Sequence, residues 1–431
     1  MDMPKLFKGL GVSPCLFKRM MFVLFDTLVL GELLLWNGYL VYVMVVGLHM
    51  NDFGKFYYSA LAFLQGGDMY GPNPATLIHV SGGHGMQFWN LNPPHFHIPL
   101  LPLSMLQPGF ALAIWGAFSI ASVILSWILI MRETRLNLEG PWRWRLLLAG
   151  ALMFAGTGAT LVTGQLSFLL LLIVTLLWIE ARRGRWTSAG VFLGIAASVK
   201  PFLLVFLPYF AFRRRFRAIF ACLVLMAFCF AVGILVFGID VHSKWLHSLD
   251  ASSAWNWAPM NASIAGIISR AFAPSPPFFP IAVLPRFLKV VWFLAVGLSI
   301  LLTGMAVVKN PFPSSIDRDF ALLLVAALLI SPLGWIYYLW LPLGPIAALV
   351  AAAWQSRSVS LDARGSRSRK WRNVLIVGSI PALIVPAAGL LYFQPNSLAT
   401  ISLGSSYFWG TLALWGALIV DGHARRNAHP G

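Results

Sequence analysis

Apolar residues run along this chain in long blocks separated by short polar segments. Clear blocks lie at 28–48, 109–131, 146–163, 166–181, 218–238, 287–308, 333–354, 374–393 and 405–421. A membrane-crossing helix needs roughly 20 such residues, so each block predicts one span. Two further stretches read differently. The stretch 187–212 lies between Arg182-Arg183-Gly184-Arg185 and Arg213-Arg214-Arg215-Phe216-Arg217, with Lys200-Pro201 in its middle. Proline breaks a helix. The stretch therefore predicts a hairpin of two shorter helices, with both arginine clusters on one side. The run 320–331 predicts a short helix leading out to Ser331-Pro332-Leu333-Gly334-Trp335, from which a longer helix returns. Together these make an all-α polytopic bundle of about 12 membrane segments. Residues 1–431 read as a single integral membrane domain. No internal repeat is visible.

Two long connections, 49–108 and 239–286, fall on the same side of this layout. In the first, apolar side chains recur at 53, 56, 57, 60, 61 and 64. That spacing predicts a short helix lying along the membrane interface. The opposite side carries short basic loops. It holds 25 of the 31 Lys and Arg residues; Lys55, Lys200, Lys244, Arg270, Arg286 and Lys289 make up the other six. Basic residues accumulate on the cytoplasmic side of a membrane protein. Both termini are therefore expected inside, and the long connections outside.

Composition narrows the class. The chain is 59% hydrophobic and 10% charged, against about 25% charged in soluble domains. The net charge of +17 sits in clusters between apolar blocks, so it reads as topology rather than as a nucleic-acid surface. Cys222 and Cys229 share one apolar block. Seven residues of helix place their Cα atoms about 10 Å apart, beyond disulfide reach. No signal peptide is expected, because the first block has no small-residue cleavage site.

The outer segments hold the candidate chemistry. Four acids face outward: Asp52, Asp68, Asp240 and Asp250. Asp52 leads, because the end of the first span fixes its position. It can be a general base, or it can simply cap the helix that follows, which aspartate does well. Lys200 at a hairpin tip is expensive unless it meets an anion or snorkels to the interface. A lipid phosphate is the obvious anion. His79, His84, His95 and His97 invite a zinc reading, but no acid or cysteine completes a site at the usual spacing. They read as polar lining of a cleft, and no metal or cofactor is expected. Trp255 and Trp257 read as interface markers. Asn261 and Arg270 are stronger site candidates in the same loop.

In order along the chain stand Asp52-Phe53 with Tyr57-Tyr58; Gly66-Gly67-Asp68 with Tyr70; Asn92-Pro93-Pro94; Thr163-Gly164-Gln165; Gly194 with Lys200-Pro201; Asn261 and Ser263 with Arg270; and Ser331-Pro332 with Trp335 and Tyr337-Tyr338. In this order and at these membrane positions, they resemble glycosyltransferase family 87, over roughly 50–345. Two departures stand out. Asn261-Ala262-Ser263 occupies a place where members often carry Asn-Gln-Ser, and Ser331 to Tyr338 lacks a histidine that some members have.

The resemblance implies a GT-C fold in a bacterial inner membrane. It also implies an inverting transfer of mannose from a polyprenyl-phosphate donor to a glycolipid or glycan acceptor on the outer face. On this basis Asp52 is the expected catalytic base. Lys200 and Arg270 are expected at the donor phosphate, which needs positive charge to hold it. Tyr57, Asn92, His97, Gln165, Asn261 and Tyr338 are expected to bind substrate. Elementary chemistry agrees. A phosphate leaving group needs cations rather than an acid, and one carboxylate suffices where a glycosidase uses two. Two rivals stay open. One is a secondary transporter or lipid flippase, which would carry midplane charges and internal repeats. The other is a GT-C transferase of another sugar, such as arabinofuranose.

Overall fold

A computed structural model describes residues 51–73, 77–79, 85–87, 89–136, 143–273, 279–284, 286–309, 315–355 and 396–426, with short pieces at 19–24, 26–27, 31, 375–376, 378–380 and 382–383. The expected spans 28–48 and, for the most part, 374–393 lie outside these residues, as do His84 and the basic run 357–372.

The described residues are helical almost throughout. In order come α1 (Asn51–Leu64), α2 (Pro108–Thr134), α3 (Arg143–Met153), α4 (Ala155–Thr163) and α5 (Ser167–Arg182). Then follow α6 (Trp186–Val199), α7 (Phe206–Phe212), α8 (Phe216–Phe237), α9 (Ile239–Leu249) and α10 (Ile264–Phe272). Last come α11 (Leu288–Val308), α12 (Ile316–Ile330), α13 (Leu343–Gln355) and α14 (Ser406–Arg426). One short antiparallel hairpin, Leu77–His79 with Gly85–Gln87, departs from the all-α expectation. Among the described residues, five segments are long and apolar enough to cross a membrane: Pro108–Thr134, Phe216–Phe237, Leu288–Val308, Ile336–Ala353 and Ser397–Val420. The protein is thus a polytopic membrane protein.

Burial sorts the helices into an inner and an outer set. On α12 every residue from Phe320 to Leu329 is buried, and α5 is buried along most of its length. By contrast, α8 and α11 expose Phe220, Phe228, Leu235, Phe293 and Leu294. Apolar side chains turned outward along a closed helix suit a lipid surround, where the backbone must satisfy its own hydrogen bonds.

The expected break at Lys200-Pro201 is present. Helix α6 ends at Val199, a 3-10 turn covers Pro201–Val205, and α7 follows. The two arms fold back together: Trp186 at the start of α6 meets Phe210 near the end of α7 at 5.9 Å between ring centroids. The Arg215 guanidinium also lies over the Trp186 ring at 4.6 Å. Both basic clusters therefore sit at one end, with Lys200 at the other. Glycine lets α6 lie close against α8. A Cβ on Gly190 would come 2.2 Å from the Ala218 carbonyl oxygen, and one on Gly194 2.8 Å from that of Cys222. Small residues four apart commonly let membrane helices pack backbone to backbone.

Two expectations change. The block 146–163 is not one span: Phe154 is extended, with φ −64° and ψ 123°, and separates α3 from α4. The Thr157 hydroxyl donates to the Ala151 carbonyl across the break. Helix α1 is amphipathic as expected, but its apolar face packs on protein. Phe53, Phe56 and Ala60 are fully buried in the main core, and Phe53 stacks against Trp115 of α2.

Charged pairs hold the basic end together. Arg182 and Arg183 meet Glu133, Arg182 also meets Asp317, and Arg213 meets the buried Asp319 at 2.8 Å. The opposite end carries α1, the 3-10 turn Pro94–Leu100, the hairpin tip at Lys200 and the turn before Ile336.

Candidate active site

Six sequence-distant segments meet at that end. Asp52 lies in the first turn of α1 and is 5% exposed. Its Oδ1 contacts Lys55 Nζ at 2.5 Å, one helical turn on. Its Oδ2 accepts a hydrogen bond from Gln165 Nε2 at 2.8 Å. The same Gln165 nitrogen donates to the Tyr337 hydroxyl at 2.9 Å, while its Oε1 accepts from the Leu166 N–H at 3.0 Å. This amide is fixed from both sides, so it orients the carboxylate. Gly164 makes the approach possible. Its φ is +63°, and a Cβ there would strike the Phe53 Cβ at 2.6 Å.

Lys200 reaches in from the hairpin tip. Its Nζ donates to Asn92 Oδ1 at 2.8 Å and lies 5.7 Å from the centre of the Tyr338 ring. Burial pushes the Lys200 ammonium down to about 8, while the Asp52 charge pulls it up and Lys55 pushes it down further. Burial also lowers Lys55, and Asp52 offsets part of that. Two ammonium groups against one carboxylate leave an excess of positive charge in the cleft, as an anionic ligand requires.

Asn92 is itself held from behind. The Asn90 Oδ1 accepts from the Asn92 backbone and side-chain N–H groups, both at 3.1 Å. Asn90 Nδ2 donates to Ser59 Oγ at 2.8 Å and faces His97 Nε2 at 2.8 Å. This fixes His97 as a neutral ring with Nδ1–H directed at the Pro93 carbonyl, 3.2 Å away. Burial, the largest effect, pushes His97 down to about 4, in keeping with that neutral form.

Together, Asp52, Lys55, Asn92, Gln165 and Lys200 line one side of a cleft, and Trp89, Trp255, Trp335, Tyr337 and Tyr338 line much of the rest. Of the residues singled out in the sequence, Asp52, Asn92, Gln165, Lys200 and Tyr338 meet here. His97 stands one layer behind, through Asn90. Tyr57 lies outside the lining, its hydroxyl donating to the Leu106 carbonyl at 2.7 Å.

Arg270 and Asn261 need correction. Neither lines the cleft. Arg270 is fully buried, and its guanidinium donates to the Ala258 and Asn261 carbonyls at 2.9 and 3.2 Å and to Ser405 Oγ at 3.0 Å. Those bonds occupy the donors that a phosphate would need. Asn261 donates to the Pro332 carbonyl at 2.9 Å and accepts from the Gly334 N–H at 3.0 Å. Asn261 braces the turn that presents Trp335, Tyr337 and Tyr338, and Arg270 holds the loop that carries Asn261. Trp255 moves the other way, from interface marker to cleft wall.

Lys55, Trp89, Asn90, Trp335 and Tyr337 were missed as site residues. The i, i+3 spacing of Asp52 and Lys55 was the one local signal available. Among the described residues, no group of three or more His, Cys, Asp or Glu side chains is placed to hold a metal. His95 packs against Phe230 at 4.8 Å between ring centroids.

Comparison with known proteins gives this arrangement its class. The chain is 25% identical over 334 residues to a polyprenol-phosphate-mannose-dependent alpha-(1-2)-phosphatidylinositol mannoside mannosyltransferase of Mycobacterium tuberculosis, covering 72% of each chain. It is 24% identical over 432 residues to the protein of the same name from Mycolicibacterium smegmatis, covering 94% of this chain and 90% of that one. No solved structure matches at a significant level. The model of glycosyltransferase family 87 matches residues 90–332, more than half of the chain. This membrane protein therefore belongs to glycosyltransferase family 87 and is a polyprenyl-phosphate-dependent glycosyltransferase.

Proposed function

We propose that this protein transfers mannose from polyprenyl-phosphate-mannose to a glycolipid or glycan acceptor, with inversion and with Asp52 as general base. The observation that carries this reading is the buried Asp52 carboxylate, oriented by Gln165 and sharing one cleft with Lys200. The acceptor oxygen forms a bond to the anomeric carbon. The bond from that carbon to the phosphate oxygen breaks, and its electron pair leaves with the phosphate. The acceptor proton passes to Asp52. Lys200 takes up the developing charge on the phosphate, with Asn92 holding the ammonium in place. Positioned charge of this kind commonly supplies the largest single share of rate enhancement.

The cleft opens at the end away from the basic clusters. With basic residues inside, it faces the outer side of a bacterial inner membrane and both termini are cytoplasmic. The twelve-segment GT-C bundle and a single domain over 1–431 belong to the same proposal, with 49–108 and 239–286 as its outer loops. Membership in a transferase family, together with charges at one end rather than at mid-depth, sets the transporter reading aside. The test is direct. Purified protein is incubated with polyprenyl-phosphate-mannose and glycolipid acceptors, and products are identified by mass spectrometry. An acceptor heavier by one hexose, formed with release of polyprenyl phosphate, is expected. A pentose product from a polyprenyl-phosphate-arabinose donor, with none from the mannose donor, overturns the choice of sugar.

A further inference from the structure

A second, wider opening adjoins the cleft. It is lined by Asp68 and Tyr70 on one side and by Ser243, Lys244, His247 and Ser248 on the other. Trp89 and Ala251 line both openings, so the outer groove and the cleft that holds Asp52 share a wall. The groove is built rather than incidental. Its Tyr70 belongs to a small buried core with Met69, Phe237 and Trp245. The Tyr70 hydroxyl donates to the Asn92 carbonyl at 2.6 Å, and the Ser248 hydroxyl to the Asn90 carbonyl at 3.2 Å. The segment that holds Lys200 thus also holds both walls of the groove.

Its chemistry suits a neutral polyhydroxylated ligand. Asp68 and Lys244 pair at 2.9 Å, with side chains 44% and 52% exposed. That pair offers acceptors and donors side by side and cancels the charge an anion would need. Ser243 and His247 are exposed beside it, and Trp89 supplies an aromatic wall. Paired charges, hydroxyls and an indole face are what a sugar ring uses. Its hydroxyls bond the polar groups and its C–H face lies on the ring.

Building on the transferase reading above, we propose that this groove is the acceptor's extended subsite. It holds a sugar residue of the acceptor glycan other than the one that carries the attacking hydroxyl. The protein then favours acceptors with at least two sugars over those with one.

The test uses the full-length protein and two glycolipid acceptors on the same lipid, one bearing a single mannose and one bearing two. The readout is the ratio of kcat/KM for the two-sugar acceptor to that for the one-sugar acceptor. Because this ratio is internal to each preparation, partial misfolding does not move it. Ser243→Trp fills the groove from an exposed position and is expected to lower the ratio about tenfold, the effect of losing roughly 1.4 kcal/mol of binding. Lys244→Ala is expected to move it in the same direction. A wild-type ratio near one, or a ratio unchanged in both variants, overturns the subsite while leaving the transferase reading intact. Failure of the wild type to transfer to either acceptor overturns both.

Discussion

Lys200 shows how a costly residue becomes useful. A half-buried ammonium is disfavoured unless it has partners, and here Asn92 and the Tyr338 ring supply them. Burial leaves it at about 8, so it is charged below that pH and neutral above it. If it binds the donor phosphate, kcat/KM falls as pH rises through about 8, because this parameter reports the free enzyme. Lys200→Arg moves that fall to higher pH, since arginine stays charged. Lys200→Ala weakens binding of the polyprenyl-phosphate product at neutral pH by roughly tenfold or more. Direct binding measurements check it, and unchanged affinity removes Lys200 from the phosphate site. Asp52, Lys200 and Gln165 were legible in the sequence because each stands at a predicted turn or span end. Lys55 and Tyr337 were not, because their role exists only once Gln165, distant in sequence from both, is brought between Asp52 and Tyr337.

At the scale of elements, the site rests on close packing of short helices. The hairpin of α6 and α7, which carries Lys200 at its tip, packs tightly on α8 through Gly190 and Gly194. Gly190→Ala forces a Cβ onto the Ala218 carbonyl. Overpacking of this kind typically costs about 1–3 kcal/mol. A lower melting temperature in detergent is expected, along with reduced transfer as Lys200 shifts; unchanged values of both remove this contact from the account. The break at Lys200-Pro201 was readable because proline announces it. The break at Phe154 was not, since nothing local forces it and the Thr157 hydroxyl satisfies the open turn only after folding. Arg270 misled for a related reason. A lone outer arginine resembles a phosphate ligand, whereas here carbonyls of its own loop and Ser405 take up its donors.

For the whole molecule, the two ends carry different chemistry. One gathers Arg182, Arg183 and Arg213 with Glu133, Asp317 and Asp319; the other gathers Asp52, Lys55 and Lys200 in a cleft walled by aromatic rings. If these ends face opposite sides of the membrane, single cysteines report it. In a background with Cys15, Cys222 and Cys229 replaced by serine, Ser243→Cys is labelled by an impermeant thiol reagent on intact cells. Arg214→Cys is labelled only after permeabilisation. The reverse pattern inverts the topology. Base-assisted sugar transfer in this cleft is tested by Asp52→Asn. The amide keeps the size and can still meet Gln165, but it cannot accept the acceptor's proton. With polyprenyl-phosphate-mannose and a glycolipid acceptor, kcat is expected to fall about 10²–10⁴-fold with donor affinity largely retained. A variant that keeps more than about a tenth of the wild-type rate contradicts Asp52 as the base.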